Sequence, residues 1–502
     1  MSLDIKNMKN INDIKVEPKL PEQKESGNSL IDGLYKETSY GRTKNDALTF
    51  VRSGSPLLDF YAQAGAMRSN PDQALNLFKQ AIAENRLSAI RILFYLRDVR
   101  GGQGERTLFR ICLQWLGNDY PELFEQIVEH ISEYGRWDDM FFDNEKCFEV
   151  IKKQIGEDKD SETPSLLAKW LPTINASSQT TRAKARIIAG KLGLRDVEYR
   201  KTIRKIRKAI KTVEEKMSAK DWDKINYSSV PSQAARIYRN AFKKHDEERY
   251  SEFIDKAEKG EVNINAGTLY PYQIYKTVKS DYSKTLEALW NQLPDYTQGK
   301  NALVVADTSG SMTCDNGDPM AVSVSLALYF AERNKGQFNN YFISFSESPK
   351  LHKIQGETLL DKMNSIQLGG VANTNIQAVF DLILNTATRN NTNKDEMPDT
   401  IYIISDMEFD SATGSRWGES ESTNFEEIKR KYEESGYKMP SLVFWNVNSS
   451  GGNLPVQKNE DGVALVSGLS PVIFKIAVED KTPEEVMMDT INSKRYSKII
   501  IK

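Results

Sequence analysis

The sequence predicts two architectures in one chain of 502 residues: an α-helical solenoid, followed by a doubly wound α/β domain. Three observations predict it. From about residue 45 to 293, apolar residues recur at three- and four-residue spacing in many short segments. From about residue 300, β-branched runs alternate with helical stretches, the pattern of a mostly parallel sheet. The chain is also too long for one hydrophobic core. The expected division is a flexible arm at 1–44, a helical-repeat domain at 45–295 and an α/β domain at 300–502.

Residues 1–44 are rich in Lys, Asn, Glu and Ser and lack a periodic apolar face, which predicts an unpacked arm. The first clear helix is NPDQALNLFKQAIAEN, with Asn70 as N-cap and Pro71 at its first position. LSAIRILFYLRDVR, ERTLFRICLQWLG, PELFEQIVEHISEYG and PSQAARIYRNAFKKHDEERYSEFIDKA follow the same period. Their connections are short and carry Gly, Asp or Pro. No fixed repeat length is present, so degenerate HEAT-like pairs fit better than a tetratricopeptide array. In the second half NALVVAD, NNYFISFS, TIYIISD and SLVFWNV are the strand candidates, with helices around 319–334, 374–388 and 423–435 between them. TPEEVMMDTINS reads as the closing helix, and YSKIIIK as a short strand or extended arm.

Composition narrows the function classes. The formal net charge is −2, so any basic surface must be local. Cys112, Cys147 and Cys314 form no C-x-x-C pair and no zinc spacing, which predicts reduced thiols and a cytoplasmic protein. His130, His245 and His352 are not at metal spacing. The start, MSLDIKNMKN, does not read as a signal peptide, and no run has the apolar length of a membrane span. There is no G-x-x-x-x-G-K-[ST] phosphate loop.

The most informative stretch is ALVVADTSGSM, residues 302–312. An apolar strand ends at Asp307, and Ser309 and Ser311 follow at alternate positions. QLGGVANTNIQAVFDLIL adds Thr374 after a glycine turn, and TIYIISDMEFD ends a strand at Asp406. Hard oxygen donors of this kind suit Mg²⁺ or Mn²⁺. The spacing D-x-S-x-S resembles the metal-ion-dependent adhesion site, or MIDAS, of von Willebrand factor A (vWA) domains. That resemblance implies a Rossmann-like sheet and assigns Asp307, Ser309, Ser311, Thr374 and Asp406 to a divalent metal, directly or through water. The alternative is an ordinary turn capping the next helix. A phosphotransferase aspartate needs a second carboxylate two residues on, where Ser309 stands.

RDVRGGQGER (Arg97 to Arg106), GRWDD (Gly135 to Asp139) and AKWLPT (Ala168 to Thr173), with the downstream signature, resemble the uncharacterised family DUF2828, a helical region followed by a vWA-like domain. The order is architecturally similar to the Ro (TROVE) ribonucleoproteins, which implies RNA as a partner, small noncoding or single-stranded.

A basic stretch bears on RNA independently of that resemblance. Thr181 to Lys220 is markedly basic. Arg182, Lys184 and Arg186 come first, and Arg200, Arg204, Arg207 and Lys211 recur at helical spacing as one stripe. Such a stripe can neutralise phosphates, and Tyr199 beside it could stack on a base. The alternative is a solvated helix face. In RDVRGGQGER the backbone amides around the glycines could hold a phosphate, or the glycines could simply end one helix. The expected function is therefore a non-catalytic RNA-binding protein with a metal site for ligand or partner recognition. The rival is a metal-dependent protein scaffold, in which a partner's carboxylate completes the metal's coordination. No nucleophile–base arrangement suggests an enzyme.

Overall fold

Local capping decides where the early helices begin. Pro56–Gln63 starts at Ser55, whose hydroxyl accepts from the Leu58 amide. The Glu84 carboxylate, at the end of helix Pro71–Glu84, accepts from the Leu57 amide at 2.7 Å and from the Ser55 hydroxyl. The two helices are therefore tied at opposite ends as an antiparallel pair. Asn70 precedes Pro71 as expected, but its side chain does not cap; it reaches the Ser449 carbonyl of the second half at 3.4 Å. Helices then continue through Arg86–Arg97, Thr107–Asp119, Glu145–Asp158, Gln179–Lys191, Asp196–Ile210, Ser232–His245, Glu247–Glu258 and Pro271–Ser280 to Lys284–Asn291. The computed structural model describes residues 39–345, 348–368, 374–411, 422–449 and 452–502.

One expectation fails at the start of the chain, and one of two alternatives drops out at its end. Residues 39–44, assigned to the arm, belong to the fold: strand β1 (Tyr40–Arg42) pairs antiparallel with β2 (Leu48–Phe50). Alternation of Tyr40, Leu48 and Phe50 with polar residues was too short to register as a hairpin. Phe50 and Leu454 exchange backbone hydrogen bonds, and the Thr49 hydroxyl donates to the Leu454 carbonyl, so the hairpin docks on the second half. Residues 1–38 of the expected arm lie outside the described residues. The C-terminal YSKIIIK forms no strand. Its carbonyls serve the helical region instead, with Arg91 donating to the Ile499 carbonyl.

The second half is a six-stranded sheet: β3 (Ala302–Asp307), β4 (Tyr341–Phe345), β5 (Lys350–Lys353), β6 (Thr400–Ser405), β7 (Ser441–Asn446) and β8 (Val463–Ser467). The spatial order is β5-β4-β3-β6-β7-β8. All pairs are parallel except β4–β5. The antiparallel edge β5 and the final β8 were not among the sequence candidates. The strand order reverses between β3 and β6, so a crevice opens at their carboxyl ends, where open α/β sheets bind ligands. Asp307 closes β3, and Asp406 directly follows β6. Among the described residues no helix is long and apolar enough to cross a membrane.

The two halves share one continuous apolar core. Asp98 receives Arg495 as an ion pair and the Tyr496 hydroxyl at 3.1 Å. The Ser467 hydroxyl, at the end of β8, accepts from the Gly65 amide and donates to the Tyr61 carbonyl. Trp290 donates to Glu332 at 2.7 Å. The RDVRGGQGER turn lies at this seam. A side chain at Gly102 would collide with the Tyr95 carbonyl, and Gly104 has φ +69° under the Tyr270 hydroxyl. The glycines thus serve a tight turn. The amides of Gly102 to Glu105 are spent on the carbonyls of Asp98, Tyr95 and Leu96, and Glu105 accepts from the Thr107 and Leu108 amides. Four of the amides that the backbone phosphate cradle considered from sequence would need are therefore already used, which favours the turn reading of the glycines.

The GRWDD aspartates have a structural explanation. Arg97 donates to Asp139 at 2.7 Å, with the two side chains 3% and 0% exposed, and Arg110 donates to its other oxygen at 2.6 Å. Removing one partner of so buried a pair strands a charge. Asp139→Ala should cost about 3–5 kcal/mol of unfolding free energy by chemical denaturation; a loss below 1 kcal/mol would contradict the clamp.

His352 on β5 is also buried. Its Nε2 lies 2.6 Å from the Ser344 hydroxyl, and its ring stacks on Phe342. Burial, then Lys350, holds its pKa down at about 4. A depressed folded-state pKa gives stability that is present above the unfolded value of about 6.5 and lost as pH falls through about 4. The wild-type melting temperature should therefore fall over that window more steeply than that of His352→Phe, which keeps the ring stack and cannot titrate. Parallel curves for the two proteins would overturn the assignment.

Candidate metal centre and basic groove

The parallel register of β3 and β6 brings two strand ends together. Ala306 pairs with Ile404, so Asp307 lies beside Ser405, and the Ser405 hydroxyl donates to Asp307 Oδ2 at 2.5 Å. After Asp307 the chain turns, and the Ser309 amide donates to Oδ1 at 2.8 Å. The Ser309 and Ser311 hydroxyls are 3.1 Å apart. Ser311 in turn hydrogen-bonds Asp406, whose Oδ1 also accepts from the Glu408 amide. Asp307, Ser309, Ser311 and Asp406 therefore form one hydrogen-bonded group.

Thr374 connects to this group through two intermediates, Asn45 and Glu408. It is buried, and its carbonyl accepts from the Asp410 amide. Its hydroxyl is reached by Asn45 at 3.5 Å, and the same Asn45 amide donates to the Glu408 carbonyl at 2.7 Å. The glycine turn just before it, residues 369–373, lies outside the described residues.

Sequence reasoning missed the hairpin's contribution. Between β1 and β2, Thr43 donates to the Phe409 carbonyl, and the Lys44 amide donates to Glu408 Oε2 at 2.8 Å. Glu408 also accepts from Asn453 at 3.0 Å. Nothing local in TKND signals a role some 360 residues away. Ser405 was legible in principle, being the residue before Asp406 in IISD.

The electrostatics show what the site lacks. Asp307 is fully buried, and burial, then the nearby Asp406, raises its pKa to about 7. Asp406 is raised mainly by burial, and Lys44 partly offsets this. Neither carboxylate has an ion-pair partner within salt-bridge distance among the described residues. Buried carboxylates ordinarily need a paired cation or a metal. Two carboxylates with three hydroxyls, and no nitrogen or sulfur donor, are a donor set for a hard cation. The fit to Mg²⁺ or Mn²⁺ is good, with Asp307, Ser309, Ser311 and Asp406 as the residues that would hold it and Thr374 on the adjoining loop.

The basic stretch divides into two parts. Helix Asp196–Ile210 exposes Arg200, Lys201, Arg204, Lys205 and Lys208 and buries Tyr199, Ile203 and Ile206. Lys205 pairs with Asp160; Arg200, Lys201, Arg204, Lys208 and Lys211 make no ion pair among the described residues. Arg200, Lys201 and Arg204 line a groove of about 990 Å³ together with Lys169, Pro172, Asn175, Arg207, Glu214 and Glu215, and Lys169 pairs with Glu214 at 3.3 Å.

Three residues depart from the sequence reading. Arg207 is not a free cation: it donates to the Ala168 carbonyl at 2.7 Å, the Thr173 hydroxyl at 2.6 Å and the Leu171 carbonyl, and so holds the AKWLPT segment. Burial lowers its pKa. Tyr199 is buried, donating to the Pro172 carbonyl, and cannot stack on a base. Arg182 donates to the Ala176 and Ser177 carbonyls and orders the turn before its own helix. Helical spacing alone cannot separate these side chains from their solvent-facing neighbours. Lys184 is exposed, Arg186 pairs with Asp196 at 3.2 Å, and Lys211 is exposed in a left-handed conformation at the helix end, outside the groove lining.

Comparison with known proteins adds family membership and no activity. A family model described as a domain of unknown function, DUF2828, matches residues 43–133 and 149–307. A second domain of unknown function, DUF7788, matches residues 301–499. An uncharacterized protein, L728 of Acanthamoeba polyphaga mimivirus, is 28% identical over 507 aligned residues, covering 89% of this chain and 86% of that protein. Among solved structures, the RO (RSR) protein of Deinococcus radiodurans matches over 85% of this chain and 92% of its own, with 10% identity and a TM-score of 0.30.

Proposed function

We propose, for a chain that belongs to the DUF2828 family, a non-catalytic RNA-binding protein whose C-terminal domain is vWA-like and holds a divalent metal for ligand or partner recognition. The observation that carries the RNA reading is the groove under helix Asp196–Ile210. Three of its cations, Arg200, Lys201 and Arg204, have no carboxylate partner among the described residues. Unpaired guanidinium and ammonium groups along a groove attract a phosphate backbone and release its counter-ions. The helical region then reads as degenerate HEAT-like repeats presenting this groove. The metal reading rests on the buried Asp307–Asp406 pair, which hydroxyls, two backbone amides and the distant Lys44 moderate without an ion pair among the described residues.

Changing Arg200, Lys201 and Arg204 together to Gln should weaken binding of an unstructured single-stranded RNA at low salt. It should also flatten the dependence of log K on log salt by about 2, at roughly 0.7 per lost contact. The loss should be similar across sequences, because phosphate contacts position without specifying bases. Unchanged affinity would sink the RNA reading and favour the scaffold, in which the metal engages a partner's carboxylate.

The metal is tested separately. Saturating Mg²⁺ or Mn²⁺ should raise the wild-type melting temperature, by the equivalent of about 2.7 kcal/mol at a hundred times Kd. Asp307→Asn keeps an acceptor for the Ser309 amide and should abolish that rise. A rise that persists in the variant would place the metal elsewhere.

A further inference from the structure

A second anion site follows from the arginines of RDVRGGQGER and GRWDD. Arg97, Arg110 and Arg136 are linked through Asp138 and Asp139 into one chain of ion pairs. Arg106 lies one turn before Arg110, at the start of helix Thr107–Asp119. Three guanidiniums therefore share two carboxylates, and Arg106 beside them pairs with neither. The imbalance is visible at two atoms. Arg97 Nη2 is buried with no hydrogen-bond acceptor, although the side chain is only 3% exposed. Arg106 reaches solvent, yet it has neither an ion pair nor a side-chain hydrogen bond among the described residues. Burial by the surrounding protein, then repulsion from Arg136, Arg97 and Arg110, holds its pKa below the ordinary arginine value. Nearby Glu105 does not make up the deficit, being engaged by Arg68 at 2.9 Å and by the helix amides. Arg136 is fixed from two sides, donating through Nε and Nη2 to Asp138 and lying over the Trp170 ring at 3.8 Å.

We propose that Arg106, Arg110 and Arg136, backed by Arg97, form a binding site for the dianionic phosphate group of a phosphate monoester. Arg106 offers phosphate oxygens its whole fork, Arg110 and Arg136 the N–H groups not already used on Asp138 and Asp139, and a dianion would balance the two uncompensated charges. The site is separate from the groove, although both border the AKWLPT segment, and it stands whether or not the groove takes RNA.

The test uses the full chain and inorganic phosphate, against chloride at equal ionic strength. Phosphate should raise the wild-type melting temperature and bind in calorimetry. Arg106→Ala should bind it at least tenfold more weakly while melting no lower than wild type without phosphate, because the variant removes a repelled cation. Arg106→Lys, which keeps charge but loses the fork, should fall between. A phosphate effect absent in wild type or intact in Arg106→Ala would overturn the site. So would an Arg106→Ala protein destabilised without phosphate, since the residue would then be structural. Two RNA strands identical except for a 5′-phosphate or 5′-hydroxyl separate the sources. A preference for the phosphorylated end, lost in Arg106→Ala, assigns the site to RNA termini, and no preference alongside intact phosphate binding assigns it to a small phosphate ester. If neither strand binds while phosphate does, the groove reading falls and this site remains.

Discussion

Two carboxylates are buried next to each other at the carboxyl edge of the sheet, and much of the second half is arranged around that cost. Parallel pairing of β3 with β6 puts Asp307 beside Ser405 and leaves Asp406 one residue beyond. Neither side chain can escape to water without breaking that register, since a one-residue slip would turn the apolar faces of two central strands outward. The compensation is hydroxyls from three serines, the Ser309 and Glu408 amides, and a distant lysine. Hydroxyls and amides solvate a carboxylate, but they add no positive charge. The pair therefore stays short of positive charge, and that is the deficit the proposed cation would fill.

The hairpin at Tyr40–Phe50 belongs to the same problem. It comes from the other end of the chain, yet it supplies Lys44 and Asn45 to the rim of the site and pairs with Leu454. The centre is therefore built by both halves. Arg495 on Asp98 and Ser467 on Gly65 fasten the same two bodies at a second place. Between these fastenings the RDVRGGQGER turn has little freedom, which explains glycines where any side chain would strike the Tyr95 carbonyl or the Tyr270 hydroxyl.

What was legible in the sequence depended on period and on local grammar. The helical region announced itself through repeated apolar spacing, and the four inner strands through β-branched runs that end in turn residues. Asp307, Ser309 and Ser311 were visible because a turn packs them within five residues, and Asp406 because it ends a strand. The hairpin was not legible: its strands are three residues long, and its partners are encoded hundreds of positions later. Edge strand β5, KLHK, is too polar to read as a strand because only His352 faces inward. The basic helix shows the limit most clearly. Arg204 and Arg207 are three residues apart and identical in sequence terms, yet one faces solvent in the groove and the other is spent on three groups of the AKWLPT segment.

That segment links the two basic regions. On one side Arg207 grips the Ala168 and Leu171 carbonyls; on the other Arg136 stacks on Trp170, and Lys169 lines the groove. A short polar loop would be an unstable wall for a groove, since its exposed carbonyls can be satisfied by water in many geometries. A guanidinium that binds two carbonyls and a hydroxyl at once leaves few. Arg207 thus gives up its own availability to phosphate and, in exchange, sets the shape of the surface on which Arg200 and Arg204 stand. A charge count over the stripe would rank the three equally. Their hydrogen bonds separate one positioning residue from two that remain free to meet a ligand.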